Sequence, residues 1–191
     1  MKQYKFFYSA LILSVFFNAK KQGGKNMIQV NIAKHAVAFP SKTLASLGGK
    51  HIYNIQLAEA SDKFVDNGWF VGKGDFVELD LYKAAAPTSF EGTVVGVAAN
   101  GNFYVEVKSA ENALFVYQVP MIEETYNNTF KKESNYTNAP TQVVRSYELA
   151  VGDIVEISAD GFDGAVAVKD EVELKAVAGV TAAKRLAKKS V

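Results

Sequence analysis

The chain has 191 residues and contains no cysteine, two histidines, one tryptophan and four prolines. Without cysteine there is no disulfide framework, no zinc–thiolate site and no cysteine nucleophile. The two histidines, His35 and His51, both fall in the N-terminal third. Neither sits in a His-Glu-x-x-His pattern or has carboxylates at ligand spacing, so neither is assigned a metal or acid–base role. No Gly-x-Ser-x-Gly occurs, and no serine has a base beside it. Gly72-Lys73-Gly74 lacks the third glycine and following helix of a dinucleotide fingerprint and the Gly-Lys-Ser/Thr of a phosphate loop, and reads as a β-turn. Asp160-Gly161-Phe162-Asp163-Gly164 lacks the alternating Asp/Asn ladder and distant glutamate of a calcium loop, and reads as ordinary turns. The sequence therefore nominates no catalytic, cofactor-binding or metal-binding residue, and the expectation is a protein that is not an enzyme and needs no cofactor.

What is present is an ordinary globular composition, 49% hydrophobic and 21% charged. The length suits one domain, or one with an appendage, and suffices to bury a core. The net charge of +1 hides an asymmetry. Five of the 21 basic residues lie in residues 1–26 with no acid among them, leaving 16 bases against 20 acids in residues 27–191, a net charge of −4 there. A mildly acidic body fits nucleic acid poorly, because phosphate neutralisation dominates that binding. Only the C-terminus reverses the sign, at Lys184, Arg185, Lys188 and Lys189. Residues 176–191 are predicted to form a short, helical, solvated basic tail, favoured over a phosphate-binding element.

Residues 1–26 have two readings. Phe6 to Phe17 is an apolar run behind Lys2 and Lys5, the outline of a secretory signal peptide, and too short for a spanning helix of ~20 residues. Cleavage after Ala19 would place Phe17 where a small side chain is wanted. Alternatively, Gln22-Gly23-Gly24-Lys25-Asn26-Met27 back-translates to CAA GGA GGT AAA AAC ATG, which holds a bacterial ribosome-binding sequence just upstream of the Met27 codon. This favours residues 1–26 as translated upstream DNA and Met27 as the natural start.

Residues 27–50, rich in small residues, with Pro40 and Gly48-Gly49, are predicted as an extended arm. From His51 to about residue 175, β-branched and aromatic alternation is punctuated by Gly, Asn, Asp and Pro, which predicts an all-β domain, a small barrel or sandwich. The predicted strands are Ile52–Leu57, Phe76–Tyr82, Glu91–Ala98, Asn102–Lys108, Leu114–Val119, Val143–Leu149, Ile154–Ser158 and Ala165–Val168. Asn100-Gly101 predicts a hairpin with a type I′ turn. Gly74-Asp75-Phe76-Val77-Glu78-Leu79 recurs as Gly152-Asp153-Ile154-Val155-Glu156-Ile157, and each Gly-Asp is read as a tight turn opening a strand, with two similar strands preferred over a duplication. Glu123 to Pro140 reads as a long exposed loop, and its two glycosylation-like triplets, from Asn127 and from Asn135, as chance matches in a bacterial or phage chain. Trp69 and the aromatics Phe70, Phe76, Tyr82, Phe90, Phe103, Tyr104, Phe115 and Tyr117 are assigned mostly to the core. Glu78, Glu106 and Glu156 are expected to face outward; only their convergence in a cleft would suggest a hydrolase.

Four stretches, in order, carry a resemblance. They are Asp66-Asn67-Gly68-Trp69-Phe70-Val71, then Leu81-Tyr82-Lys83-Ala84-Ala85-Ala86-Pro87-Thr88, then Val119-Pro120-Met121-Ile122-Glu123-Glu124-Thr125-Tyr126-Asn127, and last Val143-Val144-Arg145-Ser146-Tyr147-Glu148-Leu149-Ala150-Val151-Gly152-Asp153-Ile154. Together, across residues 53–175, they resemble small head-decoration or capsid-associated structural proteins of tailed phages that infect Gram-positive bacteria. The arm and the basic tail lie outside the likeness. The resemblance implies a virion protein on the capsid exterior that binds the major capsid protein or itself as a homo-oligomer, with no nucleic acid or membrane partner and no catalytic residues. The rival is a secreted or cell-surface β-sandwich that binds carbohydrate or protein, if residues 1–19 are a true signal peptide.

Overall fold

The computed structural model describes residues 34–58, 64–120 and 132–190. In chain order the described elements are β1 (Ala38–Lys42), α1 (Leu44–Gly48), β2 (Ile52–Gln56), β3 (Phe70–Glu78), β4 (Leu81–Ala85), β5 (Ser89–Val97), β6 (Phe103–Glu111), β7 (Leu114–Val116), β8 (Val143–Glu148), β9 (Ile154–Ile157), β10 (Glu171–Ala176) and β11 (Ala183–Lys188). The strands join in the order β1-β9-β6-β5-β10-β11-β3-β4-β2-β8-β7, and β7 pairs again with β3. That last pairing sets Phe70 opposite Phe115 and Val71 opposite Leu114. It closes β3, β4, β2, β8 and β7 into a five-stranded barrel, and the other six strands extend from β3 as an outer sheet. Only the β2–β4 pair is parallel among these ladders.

Alternation along the strands sends neighbouring side chains to opposite faces. Ile55, Val71, Leu114, Val116 and Val144 form one buried cluster with Trp69, to which Tyr82 and Ala84 of β4 add half-buried cover. The cluster draws on all five strands of the ring, so it fills the barrel. Phe70, Phe115 and Tyr147, one residue out of step, point the other way. They pack with Phe90, Val94, Val105, Val155, Ile157 and Leu186 of the outer sheet. The Phe70 ring lies 4.6 Å from that of Phe90 and 5.7 Å from that of Phe115, centroid to centroid. Pairs of this kind add about 0.5–1.5 kcal/mol beyond simple burial.

The all-β expectation holds, and the predicted strands from Ile52, Glu91, Asn102, Leu114, Val143 and Ile154 appear as β2, β5, β6, β7, β8 and β9. Six local readings are corrected. Phe76–Tyr82 is two strands, not one, because the chain reverses at Leu79-Asp80, with Asp80 in the left-handed region at φ 58°. Aspartate tolerates that conformation better than most residues, so no glycine or proline marks the turn. Ala165–Val168 is not a strand: the Asp170 carboxylate accepts from Ala167 N at 2.9 Å and Lys169 has φ 78°, which makes a turn against β5. At Asn100-Gly101 only Gly101 has positive φ, 88°. Gly101 N bonds Ala98 O and Ala98 N bonds Asn102 O, the pattern of a type I turn followed by a bulge, not type I′. Gly72-Lys73-Gly74 and Gly74-Asp75 both lie inside β3, so neither is a turn. The C-terminal stretch is not helical: residues 183–188 are strand β11, paired with β10 and β3, with Ala183, Leu186 and Ala187 buried. Helix-compatible composition yields there to burial between two strands.

Of the predicted arm, residues 34–50 supply β1 and α1, with β1 laid antiparallel on β9. Residues 27–33, the leader 1–26 and residues 123–131 of the predicted loop lie outside the described residues. Residues 132–140 of that loop form a 3-10 turn at Glu133–Asn135 and a bridge between Asn138 and Val65.

Candidate functional site

Both histidines meet a carboxylate that is distant in sequence. His35 Nδ1 lies 2.8 Å from Asp66 Oδ1, and the buried Asp66 also accepts from Ala36 N at 3.2 Å and Thr137 Oγ1 at 2.7 Å. The hydrogen bond to Asp66 raises the His35 pKa, its charge adds to the effect, and burial opposes it. Next to it, Asn67 Nδ2 donates to Gln118 O at 2.8 Å and Asn67 Oδ1 accepts from Gln118 N at 3.0 Å. Fully buried Asn138 donates to Val65 O at 2.8 Å and to Asn67 Oδ1 at 3.3 Å. Asp66-Asn67 therefore works as a buried polar clasp. It ties residues 35–36, the start of the barrel and residues 137–138 together. The Thr137 hydroxyl is spent on the aspartate and not on the histidine, so this is not a nucleophile–base–acid relay.

The second histidine belongs to a cluster at one mouth of the barrel. His51 Nδ1 lies 2.7 Å from Glu148 Oε2, and Tyr53 donates its hydroxyl to the same oxygen at 3.2 Å. Burial, and then the Glu148 charge and bond, raise the Tyr53 pKa. The Lys73 ammonium sits 4.1 Å from the Tyr53 ring centre and 4.2 Å from that of Tyr82. The rings of Tyr53 and Tyr82 meet edge to face at 5.8 Å, and Phe76 continues the row at 5.6 Å from Tyr82. A cleft of about 140 Å³ beside them is lined by Tyr53, Lys73, Asn112, Leu114, Glu148 and Leu149. The arrangement offers one carboxylate, one ammonium and aromatic edges, which suits binding a polar group.

The row ends on an exposed apolar hairpin. Phe76 is 63% exposed, Val77 41% and Leu79 91%. Beyond Val71, β3 pairs among the described residues with β4 alone, while Asn112 caps its open side by accepting from Lys73 N at 2.8 Å and donating to Lys73 O at 3.4 Å. Trp69, Phe70, Phe90 and Phe115 lie in the core as expected, and Phe76 is the exception. Asp75, Glu78 and Asp80 on this hairpin are exposed and form no ion pair among the described residues.

The basic residues of β11, and Lys189 just after it, are engaged. Lys184 donates to Pro87 O at 3.0 Å, Arg185 pairs with Asp163, Lys188 with Asp170 at 2.8 Å, and Lys189 with Glu91 at 2.7 Å. These partners hold the carboxyls low: Asp163 chiefly through its bond from Lys175, Asp170 through Lys188, and Glu91 through Lys189. Asp163 is thus committed to Lys175 and Arg185, and Asp160 alone does not supply the set of carboxylates a calcium loop needs. Glu78 lies on the hairpin, far along the sheet order from Glu106 of β6 and Glu156 of β9. Glu156 already accepts from the Asn100 and Asn102 amides at 2.8 Å each. Among the described residues no group of three or more His, Cys, Asp or Glu side chains could hold a metal ion.

Sequence reasoning missed both histidine–carboxylate pairs, whose members lie 31 and 97 residues apart and leave no local signal. It also placed Phe76 with the core, because alternation marks a face without saying whether anything covers it. No family model matches the chain, and neither a curated protein nor a solved structure is significantly similar to it.

Proposed function

We propose that this chain is a non-enzymatic structural protein of a phage virion, which decorates or stabilises the capsid exterior through contacts with the major capsid protein or with itself. The observation that carries the reading is the β3–β4 hairpin, which presents Phe76, Val77 and Leu79 to solvent on a rigid barrel. Exposed apolar clusters on otherwise well-packed proteins mark contact surfaces. The ordered motifs of residues 53–175 point to the same class. Closure of the five-strand ring leaves fewer open edges to pair at random, which suits a protein repeated across a shell. Mass spectrometry of purified virions tests the reading: the protein should be present at a stoichiometric copy number, and its absence from washed particles would end the claim.

A second reading, a secreted or cell-surface binding module, is favoured by the Tyr53–Tyr82–Lys73–Glu148 cluster at the barrel mouth. The N-terminal mass of the native protein separates the two. A chain starting just after Ala19 supports export, and one starting at Met27 supports the capsid reading.

A further inference from the structure

We infer that the tip of the β3–β4 hairpin is the docking element of this protein, and that its partner is an apolar groove of the capsid lattice rimmed by lysine or arginine. The inference rests on the capsid reading above and adds to it a surface and a partner chemistry. Leu79 occupies one of two residues in a tight turn and is 91% exposed, where a small or polar residue is the usual choice. Phe76 and Val77 precede it by three and two positions, so three apolar side chains within four positions share one protrusion. The chain carries an internal control. The near-identical hexapeptide in β9 buries Val155 and Ile157 completely, which shows that this pattern serves as core when something covers it. In β3 nothing among the described residues does.

Charge selects the occupant. Asp75, Glu78 and Asp80 surround the apolar tip without an ion-pair partner among the described residues and outnumber Lys83, the exposed lysine of β4, while Lys184, Arg185, Lys188 and Lys189 are each held by a carboxylate or a carbonyl. A groove with cations on its rim would meet three unspent carboxylates; a second copy of this chain would bring a second acidic tip, and like charges brought together oppose association. The open side of β3 beyond Asn112 adds main-chain groups with no ladder partner among the described residues next to the apolar side chains, which a partner strand can engage.

The test loads purified full-length protein onto phage particles produced without it. Wild type is compared with Val77→Ser/Leu79→Ser and with Asp75→Lys/Glu78→Lys. Phe76 is kept because its ring also packs on Tyr82. All three proteins should melt at nearly the same temperature, since the changed side chains are exposed. Wild type should load, and added salt should weaken it. Each variant should load about tenfold or more weakly, and the charge-reversed one should lose the wild-type salt response. Equal loading of variants and wild type would overturn the hairpin while leaving the capsid reading intact. Failure of wild type to load would end the capsid reading and this partner with it. A wild-type dimer in sedimentation that Val77→Ser/Leu79→Ser abolishes would make the occupant a second copy and overturn the inference.

Discussion

Gly74-Asp75-Phe76-Val77-Glu78-Leu79 and Gly152-Asp153-Ile154-Val155-Glu156-Ile157 differ at two apolar positions and meet opposite fates. In the second, Gly152 takes φ 90° in the turn before β9, and buried Asp153 accepts from Leu44 N at 3.0 Å and Ala150 N at 2.8 Å. Val155 and Ile157 then enter the core. In the first, Gly74 and Asp75 are already within β3, and the apolar residues after them are exposed. The difference lies in the neighbours. β9 runs between β1 and β6 with barrel residues Phe115 and Tyr147 in the same buried cluster, whereas β3 outlasts its pairing with β7 after Val71. Alternation assigns residues to faces; the rest of the fold decides which face is covered.

The largest contrast should come from truncating the last apolar residue of each hexapeptide. Ile157→Ala should cost about 2–5 kcal/mol, and Leu79→Ala should change stability by less than about 0.5 kcal/mol. Denaturant titrations of both would break the comparison if the two costs were alike. Next, alanine at either glycine should destabilise by about 1–3 kcal/mol, for different reasons. A Cβ on Gly74 would stand 2.7 Å from the Lys83 carbonyl oxygen, whereas Gly152 has open space but a φ that L residues rarely adopt. Asparagine, which visits that region readily, should rescue position 152 and not 74, as melting temperatures would show. Third, Asp153→Ala should cost about 1–3 kcal/mol through two lost hydrogen bonds, against nearly nothing for Asp75→Ala. The smallest effect is one of pH, on the side of the molecule where β1 meets β9. The folded-state pKa of His35 is raised above 6.5, so its stabilisation is complete below that pH and fades as pH climbs through the raised value. Melting temperature should drift down above about pH 6.5 in the wild type and stay flat in His35→Gln, while exchange of the hairpin amides shows no step tied to His35.

Most strand positions were legible because their signal is local: alternation in Glu91–Ala98 and Val143–Leu149 requires no knowledge of partners. The barrel was not, since its closure depends on Phe70 meeting Phe115, 45 residues away in the chain. β11 was hidden by its composition, where Lys184, Arg185, Lys188 and Lys189 suggest a solvated helix until their carbonyl and carboxylate partners elsewhere in the chain are seen. The turn at Leu79-Asp80 was hidden for the opposite reason, since an alternating pattern runs straight through it. Of the candidate surface, Phe76 and Leu79 were visible as residues but not as exposed ones. The buried clasp around Asp66 was visible only as a motif, without its purpose.

The strand order also sets a timetable. Every barrel strand lies between Ile52 and Glu148, whereas the outer sheet takes β5 and β6 from within that span, β1 from before it and β9, β10 and β11 from after it. During synthesis the ring can close while β10 and β11, the two strands that splice the β5–β6 hairpin onto β3, are still unmade. A nascent chain at that stage would show the outward faces of Phe70, Phe115 and Tyr147 to the cytoplasm of the producing cell. The last strands to emerge cover them, so a ribosome that stalls late would release a sticky product where one that finishes releases a fully covered β protein.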